Sequence, residues 1–318
     1  MSLRLNTISI VVPTYGRHDK LTRLFSYLDG VNVRVLVADG SASPYIEEFP
    51  RGIQYFHLPS IPYMERVTQV LDAVCTPHMV LLADDDFIDI GFLGRADAVL
   101  RSRQDCSTVF GRCYAFKEES AKSWLPIYDW AIDINTHDAK ERLRAYFGCY
   151  FPLFYAPTRT HLVREAFRYL CKLPLRSACL IELMFSARLV ASGKVAVLDD
   201  ICAVREVSEV QRSASVYPEL EILLSESPGL KNEMNLLLEQ WLDTHDASLF
   251  SDCLYAPYYE HFIPWHARRF ASANRVRSLW ARLIGKELTN YRPATAFPDT
   301  LKLQHIQQII SSCDRNVG

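Results

Sequence analysis

The chain of 318 residues carries a formal net charge of -2, with 49 % hydrophobic and 23 % charged residues. Such a composition is that of a folded globular protein of one large domain or two smaller ones, not of a disordered chain. The near-neutral balance offers no broad basic face for nucleic acid.

No apolar run approaches the ~20 residues of a membrane span. The N-terminus lacks the basic-then-apolar pattern of a secretory signal. Nine cysteines and nine histidines are dispersed, with no Cys-x-x-Cys or His-x-x-x-His pair. Free thiols in a reducing, cytoplasmic compartment are therefore expected.

Ile8 to Val12 is a β-branched apolar run closed by Pro13, which reads as a buried strand. Leu21, Leu24, Phe25 and Leu28 then recur at helical spacing, and Gly30 stands where a helix cap belongs. Val33 to Ala38 and Ile53 to Phe56 read as strands, and Tyr63 to Cys75 as a helix. Met79 to Ala83 is a fourth strand that runs into Asp84-Asp85-Asp86. A helix over Leu93 to Arg101 and a strand over Thr108 to Phe116 complete the block.

Residues 117–215 are mixed. Trp124, Tyr128 and Trp130 form an aromatic stretch, Ala178 to Ser192 is a helix ended by Gly193, and Lys194 to Leu198 is a strand. Beyond Pro218 the pattern is helical, with periodic segments at Leu230 to Leu242 and Leu301 to Ile310. The expected division is 1–116, 117–215 and a helical 216–318.

Repeated β-α-β units with apolar strands predict an α/β fold: a mostly parallel twisted sheet flanked by helices. Ligands of such sheets bind at the carboxyl ends of the strands. Three polar clusters fall there: Thr14-Tyr15-Gly16-Arg17, Asp39-Gly40-Ser41 and Asp84-Asp85-Asp86.

Three adjacent carboxylates repel one another, and a hard divalent cation relieves that repulsion; the plain alternative is a solvated acidic loop. Thr14 to Arg17 opens a helix, where anions are favoured; alone it is also an ordinary strand-helix turn. Asp39 suits either a hydrogen bond from a base or ribose, or the capping of its own turn. Glu182 lies in a very apolar helix, where an unpaired charge is costly. It is either a general base or the partner of Arg176 or Arg188. Arg205 and Arg66 are each placed between a phosphate contact and a plain salt bridge. Arg275 to Lys286 is a basic amphipathic stretch that suits either a membrane surface or its own domain.

With these residues in view, the chain resembles the family 2 glycosyltransferases of the GT-A fold. Ile8 to Arg17 is similar to their opening strand and turn. Val37 to Ser41 is similar to the second-strand motif, with Ala38 where an acid is usual. Leu81 to Phe87 is similar to their DXD segment. The resemblance implies a GT-A domain with a helical extension at its C-terminus.

It further implies a nucleotide-sugar donor, UDP-linked by family habit, and a glycan or other hydroxyl acceptor, as in polysaccharide biosynthesis. Pro13, Thr14, Tyr15 and Asp39 would hold the nucleotide, with Arg17, Arg66, Asp84 and Asp85 beside it. Asp86, with Asp84, would bind Mn2+ or Mg2+. Glu182 would be the base of an inverting transfer, although Leu183 follows it where a second acid is common. Loops near 120–135 or 205–215 would close over the donor.

Two other readings remain open at this level. One is a sugar nucleotidyltransferase, for which Thr14 to Arg17 makes a poor glycine-rich loop. The other is a non-catalytic nucleotide- or carbohydrate-binding module on a decayed transferase fold.

Overall fold

A computed structural model describes residues 5–117, 124–173, 178–207, 224, 227–269 and 293–313. Its centre is a nine-stranded sheet of order β3-β2-β1-β4-β8-β6-β9-β5, with β7 paired to β6. The strands are β1 Leu5–Thr14, β2 Val33–Asp39, β3 Ile53–His57, β4 His78–Leu81, β5 Phe87–Ile88, β6 Cys106–Lys117, β7 Trp124–Ile127, β8 Thr158–Arg159 and β9 Lys194–Val207.

The expected α/β architecture is present. β1 pairs in parallel with β2 and β4, β2 with β3, and β6 with β9. Ile8, Ile10, Val11 and Val12 of β1 are fully buried. Both faces of the strand are covered, which is why its apolar residues Ile8, Ile10, Val11 and Val12 do not follow strict alternation. Helices α1 His18–Leu28, α2 Tyr63–Asp72 and α3 Ile90–Ser102 connect the parallel strands. α1 buries Leu21, Leu24, Phe25 and Leu28, the stripe read from its spacing. α3 is capped by Asp89, whose side chain accepts from Phe92 N at 2.6 Å.

Helices α4 Ala139–Gly148, α5 Thr160–Leu170 and α6 Ala178–Ser192 build the second half. The helix Pro228–Leu242 and the π-helical segment Phe250–Phe262 pack against this half. One apolar cluster runs from Leu5 through Phe262. A smaller one is closed by Leu303, Ile306 and Ile310 of the helix Thr300–Cys313, which lies back on α1. Among the described residues no helix is long and apolar enough to cross a membrane. Cys75, Cys106, Cys113, Cys149, Cys171, Cys202 and Cys253 are free thiols.

Two strand boundaries differ from expectation. β4 stops at Leu81, so Leu82 and Ala83 already belong to the turn that carries the aspartates. β9 does not stop at Leu198 but continues to Val207. Asp199-Asp200 looks like a turn in sequence. In the fold it is a bulge opposite Gly111 and Arg112, after which pairing with β6 resumes at Ile201. Arg176, Gln211 to Ser213, Arg275 to Lys286 and the loop segments 118–123 and 208–215 lie outside the described residues.

Candidate active site

The three polar clusters meet at one edge of the sheet. Thr14 and Asp39 are register partners at the ends of β1 and β2. Leu82 N donates to Val11 O at 3.0 Å, which keeps the chain beyond β4 alongside β1. Asp84 is thereby brought to Thr14, whose hydroxyl donates to its Oδ2 at 2.6 Å. Arg17 pairs with Asp84 and, at 2.5 Å, with Asp85. Asp84 and Asp86 are buried, while Asp85 is half-buried.

Asp39 is fully buried, yet its carboxylate is well supplied with donors. Oδ1 accepts from Ser41 N at 2.7 Å, and Oδ2 accepts from the Tyr55 hydroxyl at 2.6 Å and faces His18 Nε2 at 2.8 Å. Burial pushes its pKa up; the bonds from Ser41, Tyr55 and His18 outweigh that and hold it below the usual carboxylate range. Asp39 therefore caps its own turn, and one oxygen is shared by two side chains that no motif announced.

The turn itself is tightly specified. Gly16 has a φ of +66°, in the left-handed region, and its N–H donates to Ser41 Oγ at 2.8 Å. Gly40 lies directly under the Arg66 guanidinium, where any Cβ would collide with it. Arg66 is buried at 4 % exposure, its Nε has no hydrogen-bond partner, and its nearest acceptor is Ile61 O at 3.4 Å. Burial depresses its pKa against the pull of Asp39. Tyr15 stands 66 % exposed at the mouth of this corner and Tyr63 41 % exposed. Pro13 is half-buried beside Ala38.

The second half supplies the opposite wall. β5 pairs antiparallel with β9, Phe87 against Val204. The residue before Phe87 thus meets the residues after Val204. Asp86 Oδ1 accepts from Glu206 N at 2.8 Å, and Arg205 Nε lies 3.6 Å from Asp86 Oδ2. The Arg205 guanidinium lies over the Tyr155 ring, its Cζ 4.8 Å from the ring centroid. Glu206 is held in turn by Lys20 at 2.8 Å and by Arg23 of α1, and Arg23 donates to Asp85 O at 2.8 Å.

Glu182 of α6 accepts from the Tyr150 hydroxyl. It does not pair with Arg188, which binds Glu165 and stacks over Trp241. Burial raises the Glu182 pKa, against the opposing effects of Tyr150 and Arg205. Burial likewise lifts Asp84 to about 6 and Asp86 to about 7.

The structure thus brings together Thr14, Arg17, Asp39, Arg66 and Asp84 to Asp86, while Glu182 lies on α6 against Tyr150. Sequence reasoning missed His18, Lys20, Arg23, Tyr55, Tyr150, Tyr155 and Glu206. The one usable signal was Arg205-Glu206 itself, a charged pair closing an apolar run.

Among the described residues no group of three His, Cys, Asp or Glu side chains forms a protein-only metal cage. Mg2+-like ions on phosphates need only one or two carboxylates, the rest of their shell being phosphate and water. Asp84 and Asp86 fit that role in chemistry. Both are oxygen donors, and burial raises their pKa values, so their ionised forms gain from a cation.

No family model and no curated protein matches the chain. Among solved structures it is similar to S. aureus TarS, at 14 % identity and TM-score 0.45, over 77 % of this chain and 44 % of that one. The chain thus spans under half the length of that protein. It is similar to TarS 1-349 in complex with UDP-GlcNAc, at 13 % identity and TM-score 0.46, over 77 % and 75 %. For TarS 1-349 with UDP the values are 14 %, 0.46, 77 % and 74 %. These are similarities of backbone path and assign no residue a role.

Proposed function

We propose that this protein transfers a sugar from a nucleotide-diphosphate donor, a UDP-sugar by family habit, to a hydroxyl of a glycan or other acceptor. The observation that carries this reading is the convergence of Thr14, Arg17, Asp39 and Asp84 to Asp86 on one sheet edge. Strand ends of an α/β sheet that gather anion-binding and carboxylate groups at one place are built for a charged ligand.

Arg66 and Asp39 offer donors and an acceptor to a base, and exposed Tyr15 offers a stacking face. Arg17 stands where it can leave Asp85 for a phosphate. Asp84 and Asp86 would hold Mn2+ or Mg2+ with the diphosphate, and such a cation neutralises the departing nucleoside diphosphate. Glu182 takes the proton of the acceptor hydroxyl, and its raised pKa suits a general base at neutral pH. Tyr150 fixes which way that carboxylate faces. Attack from the face opposite the leaving group gives inversion.

The test begins with thermal stability against a panel of nucleoside diphosphates, with and without Mn2+. A ligand at a hundred times its Kd adds about 2.7 kcal/mol. Transfer assays with the corresponding donor sugars follow. Release of nucleoside diphosphate supports the reading, and release of pyrophosphate points to nucleotidyl transfer. Asp86→Ala should abolish the metal-dependent shift and turnover. Glu182→Gln should keep donor binding and lose transfer. Absence of any shift from folded protein would refute the donor site and favour a binding module of another specificity.

A further inference from the structure

We infer that Arg23 is a positioning residue that, from α1, fixes the turn presenting Asp85 and Asp86. The inference takes from the proposed function only that these carboxylates meet a divalent cation; the brace itself stands on hydrogen bonds.

Lys20, Arg23 and Tyr27, three and four residues apart, share one face of α1. This face lies along the chain that follows β4. Arg23 Nη2 donates to Asp85 O at 2.8 Å, and its Cζ lies 5.2 Å over the Phe87 ring. One turn further on, the Tyr27 hydroxyl donates to Ile88 O at 2.9 Å, and its ring packs edge-on against Phe87 at 5.1 Å. Asp85, Phe87 and Ile88 are thus each held from α1.

β9 holds the same turn from the other side. Glu206 N donates to Asp86 Oδ1 at 2.8 Å. The Glu206 carboxylate accepts from Arg23 Nη2 and, at 2.8 Å, from Lys20 Nζ. One guanidinium nitrogen therefore bonds both the carbonyl of Asp85 and the side chain of the residue whose N–H orients Asp86. Arg23 is 4 % exposed and Glu206 7 %, so these bonds are made in a low dielectric. A buried ion pair adds little net stability over apolar residues of the same volume. What this one adds is direction, because it joins α1, the acidic turn and β9 at one point. Groups that orient metal ligands from behind are worth about 10- to 100-fold in metal affinity.

The test uses the full chain and Mn2+ alone, with bound ion read from the loss of the free Mn2+ paramagnetic resonance signal. Arg23→Met keeps bulk over Phe87 and removes the donors. By charge alone, losing a cation beside the aspartates tightens Mn2+ binding. By position, it weakens binding about 10- to 100-fold. Arg23→Met with Glu206→Met removes one charge of each sign and replaces the pair by apolar side chains. It should recover part of the urea midpoint lost in Arg23→Met alone, while Mn2+ affinity stays low. Wild-type or tighter Mn2+ binding in the folded variants, or an affinity that returns together with the urea midpoint, would overturn the inference.

A second readout needs no metal. Amide hydrogen exchange over residues 84–88 should quicken about tenfold in the double variant, beyond any change in the β1 amides. Equal exchange in variant and wild type would overturn the brace. If wild-type protein takes up no Mn2+, the cation reading of Asp84 to Asp86 falls, while this comparison still decides whether Arg23 holds the turn.

Discussion

Metal-assisted donor binding should strengthen steeply between pH 6 and pH 8. Burial lifts Asp84 to about 6 and Asp86 to about 7, and a cation binds only the ionised forms. At pH 6 Asp86 is ~9 % ionised and Asp84 ~50 %, whereas at pH 8 the values are ~90 % and ~99 %. The product of these fractions rises about 20-fold, equivalent to about 1.8 kcal/mol. The assay is titration calorimetry with a nucleotide-diphospho-sugar and Mn2+ at several pH values. The intact sugar ester is used because its phosphates do not titrate in this window. Asp86→Asn should lose most of the slope, leaving about the twofold from Asp84. A flat affinity over this range, or the same slope in Asp86→Asn, would refute the reasoning. The unliganded fold should respond with the opposite sign. Carboxylates with raised pKa values contribute stability that is complete below 3.8 and lost as pH rises through about 6 and 7. Its Tm should therefore fall from pH 5 to pH 8, and Mn2+ with donor should reverse the fall.

Tyr150→Phe removes the donor to Glu182. It should lower kcat about tenfold with donor affinity unchanged, checked by steady-state kinetics. Gly40→Ala places a methyl on the Arg66 guanidinium, the movable end of a long side chain. Stability should change by only about 1 kcal/mol, while nucleotide affinity falls about tenfold as Arg66 leaves its place over Gly40, read by calorimetry. Glu206→Ala leaves Arg23, 4 % exposed, without its carboxylate. It should cost about 3–5 kcal/mol in urea unfolding, and a loss under ~1 kcal/mol would mean the pair is not buried in solution.

The N-terminal half was legible because its physics is local. Strands covered on both faces must be apolar throughout, and polar residues placed just after them must lie on one edge. Hence β1 to β4, α1, α2 and the meeting of Thr14, Asp39 and Asp84 at one edge could be read from runs of ten residues. Glu182 stood out for a similar reason, as a charge inside Ala178–Ser192. The rest was not local. Asp86 owes its surroundings to Glu206, 120 residues away, through the β5–β9 pairing. That pairing was hidden because the Asp199-Asp200 bulge imitates a strand end. Tyr150 and Tyr155 lie on an irregular stretch with no period, His18 reaches Asp39 only once β1 and β2 are paired, and Tyr55 only once β2 and β3 are. Asp39 shows why its two readings stayed level. Its Oδ1 caps the turn, and its Oδ2 faces the side chains of the cleft.

The charge balance of the cleft links these parts. Asp39, Asp84, Asp85, Asp86, Glu182 and Glu206 outnumber Arg17, Lys20, Arg23, Arg66 and Arg205. Asp84, Asp86 and Glu182 are the carboxylates among them whose pKa values burial raises. A diphosphate entering alone would add negative charge where it is already in excess. Entering with a divalent cation it adds almost none, and it frees Arg17 from the aspartates to meet the phosphates. The acidic run at the end of β4 and the basic residue opening α1 are therefore two sides of one requirement. If the site takes a diphosphate only with a cation, the metal dependence of binding and most of its pH dependence should be lost together in Asp86→Asn.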